Sequence, residues 1–339
     1  MWDTLATYLT GVRILLRQLI FSRIDLFLIP VLRSASRSCT GWAAVFLLLF
    51  YPAIPVRAEP PGVTIVQSEA SGAYLEFSDA LRDILLGRGI TSVVVDPAKP
   101  IPDSGLVIGV GMKAATAVAA SGTPSVLNVL IPKAGHEKLL RDFPRRADPH
   151  TFSAIYLDQP LERQVLLIAS ILPDKHNVGL LYSTPPEELA LLRRRMVAHG
   201  LKLHEQTVSQ ALPLAEALQA LLQDSELLLV LPDSAVYNSS TIRNILLAAY
   251  RSRVPLVGFS PGYVKAGALC AVSSTPAQIA MQAAALIRQF GETHALPSAQ
   301  YPQEFEVTVN EQVARSLGLQ VKDTSVLHDE IKAAERDAP

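Results

Sequence analysis

The chain has 339 residues, of which hydrophobic types make up 49%, enough for one large or two medium-sized cores and too much for one small domain. Its first 58 residues are a zone apart, with Asp3 and Asp25 as their acids, and the remainder carries 24 Lys and Arg against 29 Asp and Glu. That mildly acidic body has no basic block, which speaks against nucleic acid as a partner, and with Cys39 in the first zone and Cys270 alone in the body no intramolecular disulfide can hold it.

The order of Arg33 and Arg37, the apolar run 42–54, and Val56-Arg57-Ala58 before Glu59 is that of a secretory signal peptide cleaved after about Ala58. The run holds about 13 residues, against roughly 20 for a membrane-spanning helix. Contact with a membrane is therefore expected only if this segment stays uncleaved. The amphipathic stretch before it is long for a signal, and no Met follows Met1 until Met112. Initiation at Val31 or Leu32 would give a signal of ordinary length.

Beyond Glu59, short β-branched runs alternate with longer stretches of helical period, the signature of parallel α/β layers. The first series predicts a strand at 63–67, a helix at 74–86 stopped by Gly87 and Gly89, strands at 92–95 and 106–110, a helix at 112–120 and a strand at 125–131. A strand at 152–157 leads to the second series. There a helix ends at Ile171, a strand spans 178–182, and a helix over 186–199 is capped by Gly200. Strand 201–207, helix 214–222, strand 227–231, helix 241–251 and strand 255–259 follow. The strand 268–272 and the apolar helix 277–290 belong to neither series and are expected to cross back. The fold class expected is α/β: two doubly wound parallel-sheet lobes joined by crossover strands. Residues 59–155 and 272–320 are assigned to lobe 1, with strand 304–309 and helix 311–317 included, 156–271 to lobe 2, and 321–339 to a flexible tail.

Open parallel sheets bind ligands beyond the carboxyl ends of their strands, where helix N-termini offer free N–H groups. Ser68, Glu69 and Tyr74 follow the first strand, with Tyr74 able to stack on a ligand, and Gly111 follows the third. Asp158 leaves the strand between the series, and Ser183 and Thr184 precede a helix beginning near Pro185, a place suited to an anion. Asp233 follows strand 227–231, where a carboxylate can pair with a ligand amine or bend its own loop. Tyr237 and Asn238 lie at the next helix N-terminus, and Ser260 and Tyr263 after the strand ending at Phe259. Capping or hinge roles explain several of these positions as well as ligand contact does.

Gly109-Val110-Gly111-Met112-Lys113-Ala114 fits a loose dinucleotide fingerprint. It follows the third strand rather than the first, and no acidic residue ends a strand about 20 residues later, so a tight strand-to-helix turn is the better reading. None of the seven His residues forms an i, i+4 pair, and no nucleophile elbow or Walker loop occurs. Neither cofactor nor metal site is expected, and no catalytic constellation points to an enzyme.

The body resembles the substrate-binding proteins of ABC importers, of the type I periplasmic fold, especially the subgroup related to aromatic amino-acid binders. The likeness spans about residues 62–318 and rests on strand 63–68, on 153–158, on Leu172-Pro173 followed by 177–182, on Leu231-Pro232-Asp233, and on 249–258 with Tyr263-Val264 and Ala266-Gly267-Ala268. The resemblance implies an extracytoplasmic solute-binding protein, periplasmic in location, whose partners are a small molecule and a membrane permease with a cytoplasmic ATPase. With Asp233, Tyr74 and Tyr263 it implies an amino acid or related zwitterion as ligand. Two features depart from the family. Only residues 96–105 link the second and third strands, where relatives carry a helix, and Gly111-Met112 replaces a Gly-Thr pair. The short link motivates an alternative, a ligand-sensing or protein-docking module of the cell envelope.

Overall fold

β1 (Val63–Gln67) is buried along its whole length and lies one place in from the edge of the first of two sheets. The computed structural model describes residues 62–102 and 104–337; the signal segment, the cleavage position and the start expected above lie outside them. The first sheet also contains β2 (Ser92–Val95), β3 (Leu106–Val110), β4 (Val126–Ile131) and β5 (Phe152–Tyr156), in the order β2-β1-β3-β4-β5, all parallel. Helix α1 (Gly72–Leu86) turns Phe77, Leu81 and Leu85, spaced one turn apart, onto this sheet and stops where Gly89 takes a positive φ. On the opposite face α2 (Met112–Ala120) and α3 (Lys133–Asp142) cover Phe152 and Val126. A sheet sealed on both faces explains why its strands read as continuous apolar runs.

The second sheet repeats the plan. β6 (Asn177–Tyr182), β7 (Lys202–Thr207), β8 (Leu227–Leu229), β9 (Leu256–Gly258) and β10 (Cys270–Ser273) run parallel in the order β10-β9-β8-β6-β7. Helices α4 (Leu161–Ile171) and α5 (Leu189–Ala198) close one face. The other is closed by α6 (Leu214–Asp224) and α7 (Ile242–Arg251), while the short α8 (Pro261–Ala266) sits against β10. Each sheet therefore has a topological switch point, between β1 and β3 and between β6 and β8.

The chain returns to the first sheet through α9 (Pro276–Thr293), which packs on α1 and opens with a capping box of Thr275 and Gln278. Gln300 then bridges to Ile155 of β5. The strand expected to join the first lobe does not: β11 (Glu306–Val309) pairs antiparallel with β10, Cys270 opposite Val309 and Ser273 opposite Glu306. Phe305 and Val307 bury their side chains in the core of the second half, which fixes that choice of sheet. α10 (Glu311–Leu317) follows. Residues 324–337 of the expected flexible tail form a helix, α11 (Thr324–Asp337), whose Leu327 and Ile331 are fully buried against α4 and β11, while residues 338–339 lie outside the described residues. Its charged composition hid a one-turn apolar repeat. A further helix unread in the sequence is α3, and between β2 and β3 the described residues form no helix. No helix among the described residues is long and apolar enough to cross a membrane.

Candidate functional site

A cavity of about 220 Å³ lies where the carboxyl ends of β4 and β5 meet those of β6 and β8. This is below the roughly 300–1,000 Å³ of pockets that take drug-sized molecules. Its walls come from both halves: Lys133 and Glu137 of α3 with Tyr301 on one side, and Gln164, Glu188 and Asp233 among those on the other. Pro132, Leu161, Leu181 and Leu231 supply apolar surface between the polar groups.

Asp158, two residues beyond β5, accepts a 2.5 Å hydrogen bond from the Lys133 backbone N–H, at the first residue of α3. Its carboxylate thus occupies the positive end of that helix. Desolvation nevertheless pushes the Asp158 carboxyl above its usual range. The Lys133 ammonium reaches the Glu188 carboxylate and lies 5.7 Å over the Tyr301 ring, whose hydroxyl is 3.5 Å from Glu188. Burial pulls the ammonium down, but the bond to Glu188 and the charges of Glu188 and Tyr301 hold it above its ordinary range. Tyr301 in turn meets Tyr156 edge to face at 5.2 Å.

On the other wall, Asp233 accepts from Ser183 N–H at 2.7 Å, from the Ser183 hydroxyl at 2.9 Å and from Ala235 N–H at 3.0 Å. Burial works against its charge, yet these donors keep its carboxyl below the usual range. Asp233 therefore ties the β6 and β8 ends together at the second switch point while still lining the cavity.

The structure brings Asp158, Thr184 and Asp233 to the cavity, with Ser183 bonded directly behind Asp233. The remaining sequence candidates lie elsewhere. Ser68 Oγ accepts from Ala114 N–H at 2.9 Å, within the first turn of α2. Gly111 has φ +81°, and a Cβ there would come within 2.8 Å of both Ser68 Oγ and the Tyr74 ring, so these three residues pack on one another. Glu69 is exposed and its backbone carbonyl accepts from Gln67. Tyr237 is buried, donates to the Leu181 carbonyl and has its hydroxyl pKa raised by desolvation. Asn238 bonds within its own loop, to Ser234 and Ser240. Ser260 begins α8, and Tyr263 leans on Phe259 with ring centroids 4.5 Å apart.

Lys133, Glu137, Gln164, Glu187, Glu188 and Tyr301 line the cavity without having been read as candidates. The signal available for Lys133 was its place just beyond strand 125–131, at a carboxyl edge of the same kind as Asp233. Among the described residues no group of three or more His, Cys, Asp or Glu is placed to hold a metal ion.

A conserved domain protein from Vibrio cholerae shares the fold with a TM-score of 0.54 and 22% identity, over 79% of this chain and 98% of its own. An ABC domain from Streptococcus pneumonia, in complex with L-Trp, matches with a TM-score of 0.55 and 16% identity, over 78% and 98%. The ligand-free, open structure of a substrate binding protein with adhesive properties from Clostridium difficile matches with a TM-score of 0.60 and 14% identity, over 77% and 95%. At such identities the likeness is one of fold alone, that of type I periplasmic binding proteins. No curated protein matches the sequence. The family model described as ABC transporter substrate binding protein matches residues 150–332, more than half of the chain. Proteins of that family bind small-molecule solutes rather than catalyse, generally outside the cytoplasm, and typically work with a membrane permease. On that match, and with the fold it requires, the chain belongs to the family of ABC transporter substrate binding proteins.

Proposed function

We propose that this protein is the extracytoplasmic receptor of an ABC-type import system and captures a small ligand in the cleft between its two halves. The observation that carries this reading is the cavity itself, whose lining alternates between the two sheets' carboxyl edges. A ligand touching both walls gains contacts only when the halves are together, so its binding energy favours the closed form. The receptor is exported by the signal segment and released after about Ala58. It delivers its ligand to a permease with a cytoplasmic ATPase.

The expected ligand carries an ammonium group, for which the acceptors are carboxylates that line the cleft, Asp158 and Asp233 among them. An amino acid or related zwitterion fits that half of the requirement, and the L-Trp complex of the Streptococcus pneumonia neighbour supports it by analogy. Thermal-shift screening of amines, amino acids, sugars and dicarboxylates, followed by calorimetry, tests the proposal. A binder at a hundred times its Kd raises stability by about 2.7 kcal/mol. Absence of any shift across the four classes counts against a solute receptor. One feature favours the docking alternative: with no helix among the described residues between β2 and β3, Val93 and Val94 are exposed at the sheet edge. Loss of partner binding in Val93→Lys with solute binding intact would support it.

A further inference from the structure

Five carboxylates line the cleft, those of Glu137, Asp158, Glu187, Glu188 and Asp233, against one cation, Lys133. The two places best suited to a ligand carboxylate are already taken by the protein's own acids. The N–H at the start of α3 donates to Asp158, and the Ser183 N–H after β6 donates to Asp233. The Lys133 ammonium is bound to Glu188. Among the donors of the cavity wall, the neutral hydroxyl of Thr184 is a poor anchor for a carboxylate.

A second observation points to a donor ligand. Gln164 lines the same cavity, is 6% exposed, and its side-chain oxygen is buried with no hydrogen-bond partner. A buried acceptor left unpaired costs on the order of 1–3 kcal/mol, a cost removed when the amide turns over and its oxygen meets a ligand N–H in the cavity. The carboxylates themselves are short of positive charge. Glu137 holds its proton above the ordinary range through burial and through a hydrogen bond with Glu187 from the other half. Among the described residues no group of three or more His, Cys, Asp or Glu is placed to hold a metal ion, and the apolar surface of Pro132, Leu161 and Leu231 beside the carboxylates suits the body of an organic cation.

We propose that the cleft selects a small organic cation, an amine with an apolar body and no carboxylate. Its ammonium sits among Asp158, Glu137 and the Gln164 oxygen, and its body lies against Tyr301, Leu231 and Pro132. The proposal rests on the solute-binding reading above, keeps its ammonium and replaces the zwitterion with a cation.

Titration calorimetry with two matched pairs, tyramine against L-tyrosine and cadaverine against L-lysine, separates charge from shape. The expected result is an amine that binds more tightly than its amino acid by about tenfold, or 1.4 kcal/mol. Glu137→Gln and Gln164→Leu, each with an unchanged circular dichroism spectrum, are expected to weaken that amine by about fivefold or more. Tighter binding of either amino acid overturns the proposal and leaves the solute receptor standing. So does binding of a sugar or a dicarboxylate in place of the amines. Failure of amines, amino acids, sugars and dicarboxylates alike overturns both.

Discussion

Lys133, the first residue of α3, and Glu188, the residue before α5, join the two halves through an ion pair that lies beside the cavity. Both side chains are about seven-tenths buried, so the pair is less screened than a surface bridge. If the two halves close on a ligand as proposed, opening the cleft breaks this pair. Glu188→Gln removes the charge and keeps the shape. The expected effect is a shift toward the open form by about 1 kcal/mol, or roughly fivefold, seen as a larger radius of gyration in small-angle scattering without ligand.

Gly111 has a different role from the one its strand-edge position suggests. With φ +81° and with Ser68 Oγ and the Tyr74 ring at 2.8 Å from where a Cβ would sit, Gly111→Ala must either strain the backbone or displace both neighbours. A loss of about 2–4 kcal/mol in unfolding free energy is expected, measured by urea denaturation. If Gly111 served the ligand alone, stability would not change.

His136 lies in α3 with its ring stacked on Phe152 at 5.5 Å and its Nδ1 without a partner. Desolvation lowers its pKa to about 4. Because the folded state prefers the neutral ring, its contribution to stability is complete above the ordinary value of 6.5 and is lost as pH falls from there to about 4. The size is on the order of 3 kcal/mol. His136→Phe is expected to flatten the stability profile over that window in urea titrations at a series of pH values.

Arg163 of α4, 4% exposed, ties α11 to the molecule. Its guanidinium makes a two-pronged bond to Glu335 at 2.7 and 3.0 Å, meets Gln159 Oε1 at 2.7 Å, and lies 4.2 Å over the Phe305 ring. Glu335→Ala leaves that cation buried without its acid and is expected to cost about 3 kcal/mol. Thermal melting checks this, and hydrogen exchange should show faster opening of residues 324–337. A frayed tail would give neither effect.

The sheets were legible because strands buried on both faces leave apolar runs, as at 106–110, and because Gly87 and Gly89 end α1 where its period stops. Asp158, Thr184 and Asp233 were legible as strand-end positions. α3 was not, since only His136 and Leu139 are buried along it and so little apolar period shows. Yet it supplies Lys133 and Glu137 to the cleft. Gln164 and Tyr301 belong to the cleft through the meeting of distant segments, which no local pattern records. The placement of β11 depends on Phe305 and Val307 finding the second core rather than the first, and a four-residue strand reads the same in either sheet.

The most direct test of ligand capture between the halves is a crystal structure of the protein grown with the amine that binds it most tightly in calorimetry. The expected electron density lies between the two walls, with an ammonium within hydrogen-bond reach of Asp158 and the Gln164 oxygen. Density at any other surface, with the space between Lys133, Gln164 and Asp233 filled by water alone, would contradict the account.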